Sequence, residues 1–307
     1  MKKLLTIIAV ILAIKTFSQF SLVRTDVFAP QNKKVLFFKN GEKKILLFKT
    51  NLEVNTDGSP LSYSSVDLRG KEKALNNICN GVAISAKGSK ENLCLKSFSK
   101  AIEVFERFRD SGYNPIPGYT ITWENVLHKN DKNKPCVINT APYQGYFSSD
   151  TSLKNELAVT ERGDCEYKNQ VSSVEVAGLV LPGGDNVFKN EGVRIGDLAF
   201  AYHTVSKKLV LAVIYDGGPS KKLGEGSVYL NSQLLNKPIP NNYQDIKKLA
   251  TSNNIIVGFI PGTKEYQKNK SPYSNVNIEE RLKSWLSENN FSLNDLTKLI
   301  ESNSNKF

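Results

Sequence analysis

Short apolar runs rich in β-branched and aromatic residues recur along this chain, most of them closed by Gly, Pro or Asn, and no regular helices alternate with them. Strand after strand without crossover helices points to an antiparallel or mixed β-structure and away from a doubly wound sheet. Val35 to Phe38 and Ile45 to Phe48 flank Asn40-Gly41, a hairpin turn signal, so a β-hairpin is expected to open the domain. Further strands are predicted at Tyr119 to Trp123, Gly145 to Ser148, Val174 to Leu181, Leu198 to Tyr202, Leu209 to Tyr215 and Ile255 to Ile260. The clearest helix spans Leu95 to Phe108, where Leu95, Phe98, Ile102, Phe105 and Phe108 recur at intervals of three and four before Gly112. Two short helices are expected at the end, Ile278 to Leu286 capped by Asn277 and Leu293 to Ile300 capped by Ser292, packed on the strands or trailing from them. The reading is a mainly β protein with helical decorations: a single β-barrel domain over 19–272 with an inserted helix, and a C-terminal helical tail over 273–307.

The first residues carry an address rather than structure. Lys2 and Lys3 precede the apolar run Leu4 to Ile14, and Thr16-Phe17-Ser18 supplies small residues before Gln19, the pattern of a secretory signal peptide over 1–18. The run is well short of the ~20 residues that span a bilayer, so no stable membrane insertion is expected and the mature protein is placed in the periplasm or outside the cell. Loss of Lys2, Lys3 and Lys15 lowers the formal net charge of +11 by three, to +8. The remaining lysines lie in scattered pairs such as Lys43-Lys44 and Lys247-Lys248, a solvated surface rather than a nucleic-acid stripe. Cys79, Cys94, Cys136 and Cys165 form no C-x-x-C pair and none adjoins a histidine, so no metal or other cofactor is expected. In an exported chain an even count favours disulfides, and proximity favours Cys79 with Cys94 and Cys136 with Cys165 among the three connectivities. A monomer is expected.

The run Leu209 to Tyr215 delivers Asp216 into the turn Gly217-Gly218-Pro219, and Glu225 follows between Gly224 and Gly226. No G-x-S-x-G elbow, Walker loop, dinucleotide fingerprint or H-E-x-x-H motif is present, and the histidines are His128 and His203, each read as structural. Carboxylate chemistry survives this elimination, and glycosidic hydrolysis needs only two acids and a water. Asp57, in the turn Asn55 to Pro60, and Asp197, after Gly196 at a strand start, are rival acids or turn-stabilising residues. Tyr63, Tyr146 and Trp123 are candidates for stacking on sugar rings or for core packing.

Several of these segments recur in one order: Asp57-Gly58-Ser59-Pro60 with Tyr63, Gly145-Tyr146-Phe147-Ser148-Ser149, Thr151-Ser152-Leu153, Leu181-Pro182-Gly183, Gly196-Asp197-Leu198-Ala199, Asp216-Gly217-Gly218-Pro219, Gly224-Glu225-Gly226-Ser227 and Ile260-Pro261-Gly262. In this order they resemble the chitosanases of glycoside hydrolase family 75, over roughly residues 35 to 265. The resemblance implies endo-hydrolysis of β-1,4-linked glucosamine polymers with inversion, with the family's Asp and Glu falling on Asp216 and Glu225. The helix over 95 to 108 and its flanking cysteines look like an insertion in that framework. A strand running into an acid and Gly-Gly, then a second acid, is also similar to the active segment of double-psi β-barrel lytic transglycosylases. That likeness implies a double-psi-like barrel with Glu225 as the general acid, its proton held to near neutral pH, and Asp216 as the base or as the residue that positions the water. Chitosan is a polycation, so a protein of this charge needs an acidic cleft to take it. Peptidoglycan or partly acetylated chitin are alternative substrates, and a non-catalytic envelope barrel that binds polysaccharide is the alternative outside enzymology.

Overall fold

The computed structural model describes residues 20–124, 126–130, 132–155, 165–268 and 272–307, and the leader expected over 1–18 lies outside the described residues. The strands are β1 (Ser21–Phe28), β2 (Lys33–Asn40), β3 (Lys43–Thr50), β4 (Glu53–Asn55), β5 (Tyr63–Ser64), β6 (Val82–Ala86), β7 (Tyr119–Trp123), β8 (Tyr146–Phe147), β9 (Gly178–Pro182), β10 (Leu198–His203), β11 (Lys208–Gly218), β12 (Glu225–Ser227) and β13 (Ile255–Phe259). The helices are α1 (Leu93–Lys96), α2 (Phe98–Asp110), α3 (Val187–Asn190), α4 (Val228–Leu235), α5 (Tyr243–Lys247), α6 (Asn275–Glu288) and α7 (Leu293–Asn303).

Nine strands form one mixed sheet in the order β1-β2-β3-β13-β10-β11-β9-β12-β4. Most neighbours are antiparallel, while β9 runs parallel to β11 and β4 parallel to β12. The order is linear with β1 and β4 at its ends, so the sheet is not closed and the expected barrel is not realised in its hydrogen bonding. Along β3, Ile45 and Leu47 enter one apolar cluster and Leu46 and Phe48 the other. The first face is covered by Leu282, Trp285 and Leu286 of α6 and by Leu296, Leu299 and Ile300 of α7; the second by Phe188 of α3 and Leu230 and Leu234 of α4. Burial on both faces is why these strands read as unbroken apolar runs instead of alternating. The C-terminal helices are therefore part of the core packing. Among the described residues no helix is long and apolar enough to cross a membrane.

A third cluster packs beside the sheet, joining Phe105 and Phe108 of α2 to Trp123 and Phe147. Cys79 pairs with Cys94 and Cys136 with Cys165, each at a Cα separation of 5.2 Å, as proximity predicted. The hairpin of β2 and β3 forms with its turn at Gly41-Glu42, Asn40 being the last paired residue of β2, but β1 precedes it and pairs with β2; its exposed, mixed sequence SLVRTDVF carries no apolar signal because it is an edge strand. The helix expected over 95–108 is two, broken at Ser97, and Leu95 is 86% exposed rather than part of the stripe. Ser274, not Asn277, caps α6; Asn277 is the reciprocal partner in that capping box. Helix α4 escaped notice because Asn231 and Ser232 are buried along with its leucines, leaving no polar face to set a period.

Candidate active site

Strand β11 does not stop at Tyr215. It runs on through Asp216, Gly217 and Gly218, pairing them with Val180, Leu181 and Pro182 of β9 after a bulge between Ile214 and Asp216. A bulge of this kind re-aims the side chain beside it. On the other edge of β9, Gly226 of β12 lies opposite Leu179, which in an antiparallel pair puts Glu225 opposite Val180. Glu225 in turn lies opposite Glu53 of β4. Asp216, Val180, Glu225 and Glu53 thus form one row across four strands, and residues in one row share a face. Two strand spacings separate the backbones of Asp216 and Glu225, about 10 Å.

Close backbone approach makes the row possible. A Cβ on Gly218 would stand 2.7 Å from Val180 and 3.1 Å from Oε2 of Glu225. Gly224 turns at φ +107°, and a Cβ there would meet the Asn51 carbonyl at 2.2 Å, so only glycine delivers Glu225 by this path.

Asp57 joins the row from the turn after β4. Its N–H donates to Oδ1 of Asn55 at 2.7 Å, and the Tyr63 hydroxyl donates to its carboxylate at 3.1 Å. Asn55 also reaches Oδ2 of Asp216 at 3.4 Å. The opposite wall is the segment after β8: Ser149 Oγ accepts the Gly58 N–H at 3.2 Å, while the Ser152 N–H and hydroxyl donate to Oδ1 of Asp216 at 2.9 and 2.8 Å. The Gly217 N–H adds a third donor to that oxygen at 2.8 Å. Asp216 therefore has one oxygen held by three donors and the other facing fewer constraints.

Two adjoining hollows of about 670 and 1190 Å³ form the cleft; Asn55, Asp57, Gly217, Gly218 and Glu225 line both, so Asp57 and Glu225 stand at their junction, while Asp216 lines the smaller. Burial pushes the Asp57 carboxyl well above the usual range, the Asp216 charge adds to this, and the Tyr63 bond opposes it. Burial also raises Asp216, against the opposing bonds from Ser152 and Gly217. Glu225 is different: Lys222 Nζ lies 2.6 Å from its Oε1 and 2.8 Å from Oε2 of Glu53. Burial works to lower the Lys222 ammonium, but the bonds to Glu225 and Glu53 outweigh it and leave the group raised.

The structure brings together Asp216, Glu225, Asp57 and Tyr63. It does not bring Asp197, which is fully buried and accepts the N–H groups of Arg194, Thr263 and Lys264 at 2.7, 2.8 and 2.8 Å. Tyr146 does not line the cleft; it is buried and its hydroxyl donates to the Lys73 carbonyl at 3.3 Å. Trp123 packs against Phe105 and Phe108, and Tyr63 is 1% exposed, so none of the three aromatics is available to stack on a sugar. His203 bonds Ser206 and Asn254, while His128 lies 2.7 Å from the Gln170 amide and 3.4 Å from Oδ1 of Asp150, a carboxylate that lines the same hollow as Asp216. Sequence reasoning missed Ser152, Asn55 and Lys222; Ser152 was visible only as part of the ordered Thr151-Ser152-Leu153 segment, and Lys222 only as one of many lysine pairs.

Set against models of known protein families and against curated proteins, the chain matches none.

Proposed function

We propose that this chain is an exported endo-acting glycoside hydrolase of the chitosanase kind, cleaving β-1,4-linked glucosamine polymers by an inverting two-carboxylate mechanism. The observation that carries the reading is the row in which Asp216 and Glu225 face one cleft two strands apart. A backbone separation of about 10 Å suits the wider carboxyl spacing of inverting enzymes, about 6.5–9.5 Å, better than the ~5 Å of retaining ones. Glu225 and Asp57 at the junction of two hollows, with Asp216 beside them in the smaller, leave room for a chain on both sides, which is what internal cleavage requires. The cleft lining includes six carboxyl residues, Glu53, Asp57, Glu124, Asp150, Asp216 and Glu225, against Lys154, Lys222 and Lys247. An acidic cleft in a basic protein removes the electrostatic objection to a cationic polymer. The two disulfides fit an oxidising compartment, and the parallel pairs β9–β11 and β4–β12 are the features that favour a double-psi-like relationship.

The roles fall differently from the sequence expectation. Glu225, salt-bridged to Lys222, is the base that activates water, and the proton for the leaving oxygen resides on Asp216 or its electrostatic neighbour Asp57, with Asp216 the buried and oriented member. The test is digestion of chitosan, chitin and peptidoglycan with measurement of reducing ends and of the first-formed anomer by NMR. Release of α-anomers from chitosan, lost by about 10²-fold or more in Glu225→Gln and Asp216→Asn, is expected. First-formed β-anomers would refute inversion, and no release from any polymer would refute the enzyme.

A second reading draws on the same Lys222 bridge: a polysaccharide-binding protein whose acids bond sugar hydroxyls. Glu225→Gln would then leave binding nearly intact with no turnover to lose.

A further inference from the structure

We infer that Lys222 is a positioning residue, whose ammonium holds Glu225 and Glu53 side by side as carboxylates and thereby commits Glu225 to activating water. The inference rests on the glycosidase reading for its consequence, though not for its electrostatics.

The ladder itself creates the problem that Lys222 solves. Register sets Glu225 directly opposite Glu53 on parallel neighbours, and like charges opposite one another across a strand pair are destabilising. Without a cation between them, the two carboxyls would face one another across the strand pair with no opposite charge in contact. Lys222 contacts both, at 2.6 and 2.8 Å; the Glu225 side chain is only 15% exposed, so solvent screens that bridge less than a surface pair, whereas the Glu53 side chain is 55% exposed and its bridge is screened like one.

The lysine is not a loose surface chain that happens to fall there. Leu223 beside it is buried and its N–H donates to Oε1 of Gln31 at 3.3 Å. The Gly224 carbonyl accepts the Glu53 N–H at 2.9 Å, and the tight path at Gly224 leaves the turn one way to run. The turn thus fixes the backbone from which Lys222 reaches both Glu225 and Glu53.

The other charged groups around Glu225 are mostly acids: Glu53 from β4, Asp57 from the turn that follows it, Asp216 from β11 across β9, and Asp150 and Glu124 in the two hollows, with Lys154 and Lys247 the further cations lining them. Among the described residues the cation within ion-pair distance of Glu225 is Lys222. Burial drives Asp57 and Asp216 the other way, toward the protonated form. One lysine therefore sets an ion pair on Glu225 beside two acids that burial drives toward the protonated form, the division of labour that acid/base hydrolysis needs.

Three variants test this by two independent readouts. In the pH profile of kcat/KM on chitosan, Lys222→Met is expected to move the acidic limb to higher pH, with roughly tenfold loss on that limb. Lys222→Arg restores the limb, and Glu53→Gln, which leaves the cation wholly to Glu225, moves it to lower pH. The second readout is 13C NMR titration of δ-carboxyl-labelled glutamate, with the Glu225 resonance assigned by its absence in Glu225→Gln. Its protonation step is expected to follow the same order as the limbs. Coincident titrations of Glu225 in wild type, Lys222→Met and Glu53→Gln would overturn the inference, as would a uniform loss of turnover at every pH. If Lys222→Met does not fold, Glu53→Gln still decides it. If the wild type releases no reducing ends, the glycosidase reading fails on its own, while the carboxyl titration still reports whether Lys222 sets the charge on Glu225.

Discussion

Asp197 separates a clamp from a catalyst, because the two roles predict opposite outcomes for one substitution. Its carboxylate is fully buried and accepts three backbone N–H groups, two on Oδ1 from Thr263 and Lys264 and one on Oδ2 from Arg194. These bonds tie the start of β10 to the segment after β13, away from the cleft. Asp197→Ala leaves three amide donors without an acceptor. Each orphaned donor costs about 1–3 kcal/mol, and the relief of a buried carboxyl that burial already pushes toward its neutral form offsets part of this. A net loss of about 3–5 kcal/mol follows, a large share of the ~5–15 kcal/mol that holds a typical domain folded. In Asp197→Asn the amide oxygen keeps the Thr263 and Lys264 bonds and sets its NH2 against the Arg194 N–H, so one bond is lost and the cost falls to about 1–3 kcal/mol. Urea unfolding followed by circular dichroism gives the stability of each variant, and turnover measured well below the unfolding midpoint gives its chemistry. Asp197→Asn should unfold at lower urea and, while folded, turn over substrate close to the wild-type rate. An unchanged midpoint with abolished turnover would refute the clamp and restore Asp197 as a rival base.

Ser152→Ala removes one of three donors from Oδ1 of Asp216 and should cost about 1–2 kcal/mol; because that bond favours the charged form, its loss should carry the basic limb of the pH–rate profile to higher pH, and a limb that stays put or moves down contradicts the donor role of Asp216. Asp57 is raised in the folded state, so the fold binds its proton more tightly than the unfolded chain does; its contribution is full below the unfolded carboxyl range and disappears as pH rises through the folded one. Asp57→Asn should therefore stabilise the protein at neutral pH, with the gain in Tm over wild type shrinking on acidification; a gain that grows toward acid has the wrong sign. Trp285 in α6 is 2% exposed and packs 6.0 Å from Phe20, so Trp285→Ala should cost about 3–5 kcal/mol, whereas a helical tail without structural weight would show almost none in the same urea titration.

Local pattern carried much of the fold. Apolar runs such as Ile45 to Phe48 and Leu198 to Tyr202 announce strands because hydrophobicity and β-branching are properties of neighbouring residues, and the disulfides follow from spacing along the chain. The same logic picked out Asp216 and Glu225 as acids flanked by glycine. It failed where burial erases periodicity, as in α4, or where exposure leaves no apolar signal, as in β1. Tertiary structure alone decided that the sheet stays open, that β9 sets Asp216 and Glu225 in one row, that Asp57 stands with them and Asp197 does not, and that Lys222 lies between two glutamates. Each of those depends on register between strands distant in the chain. Register is chosen by hydrogen-bond ladders and by packing on both faces of the sheet, and no stretch of sequence read by itself contains its partner strand.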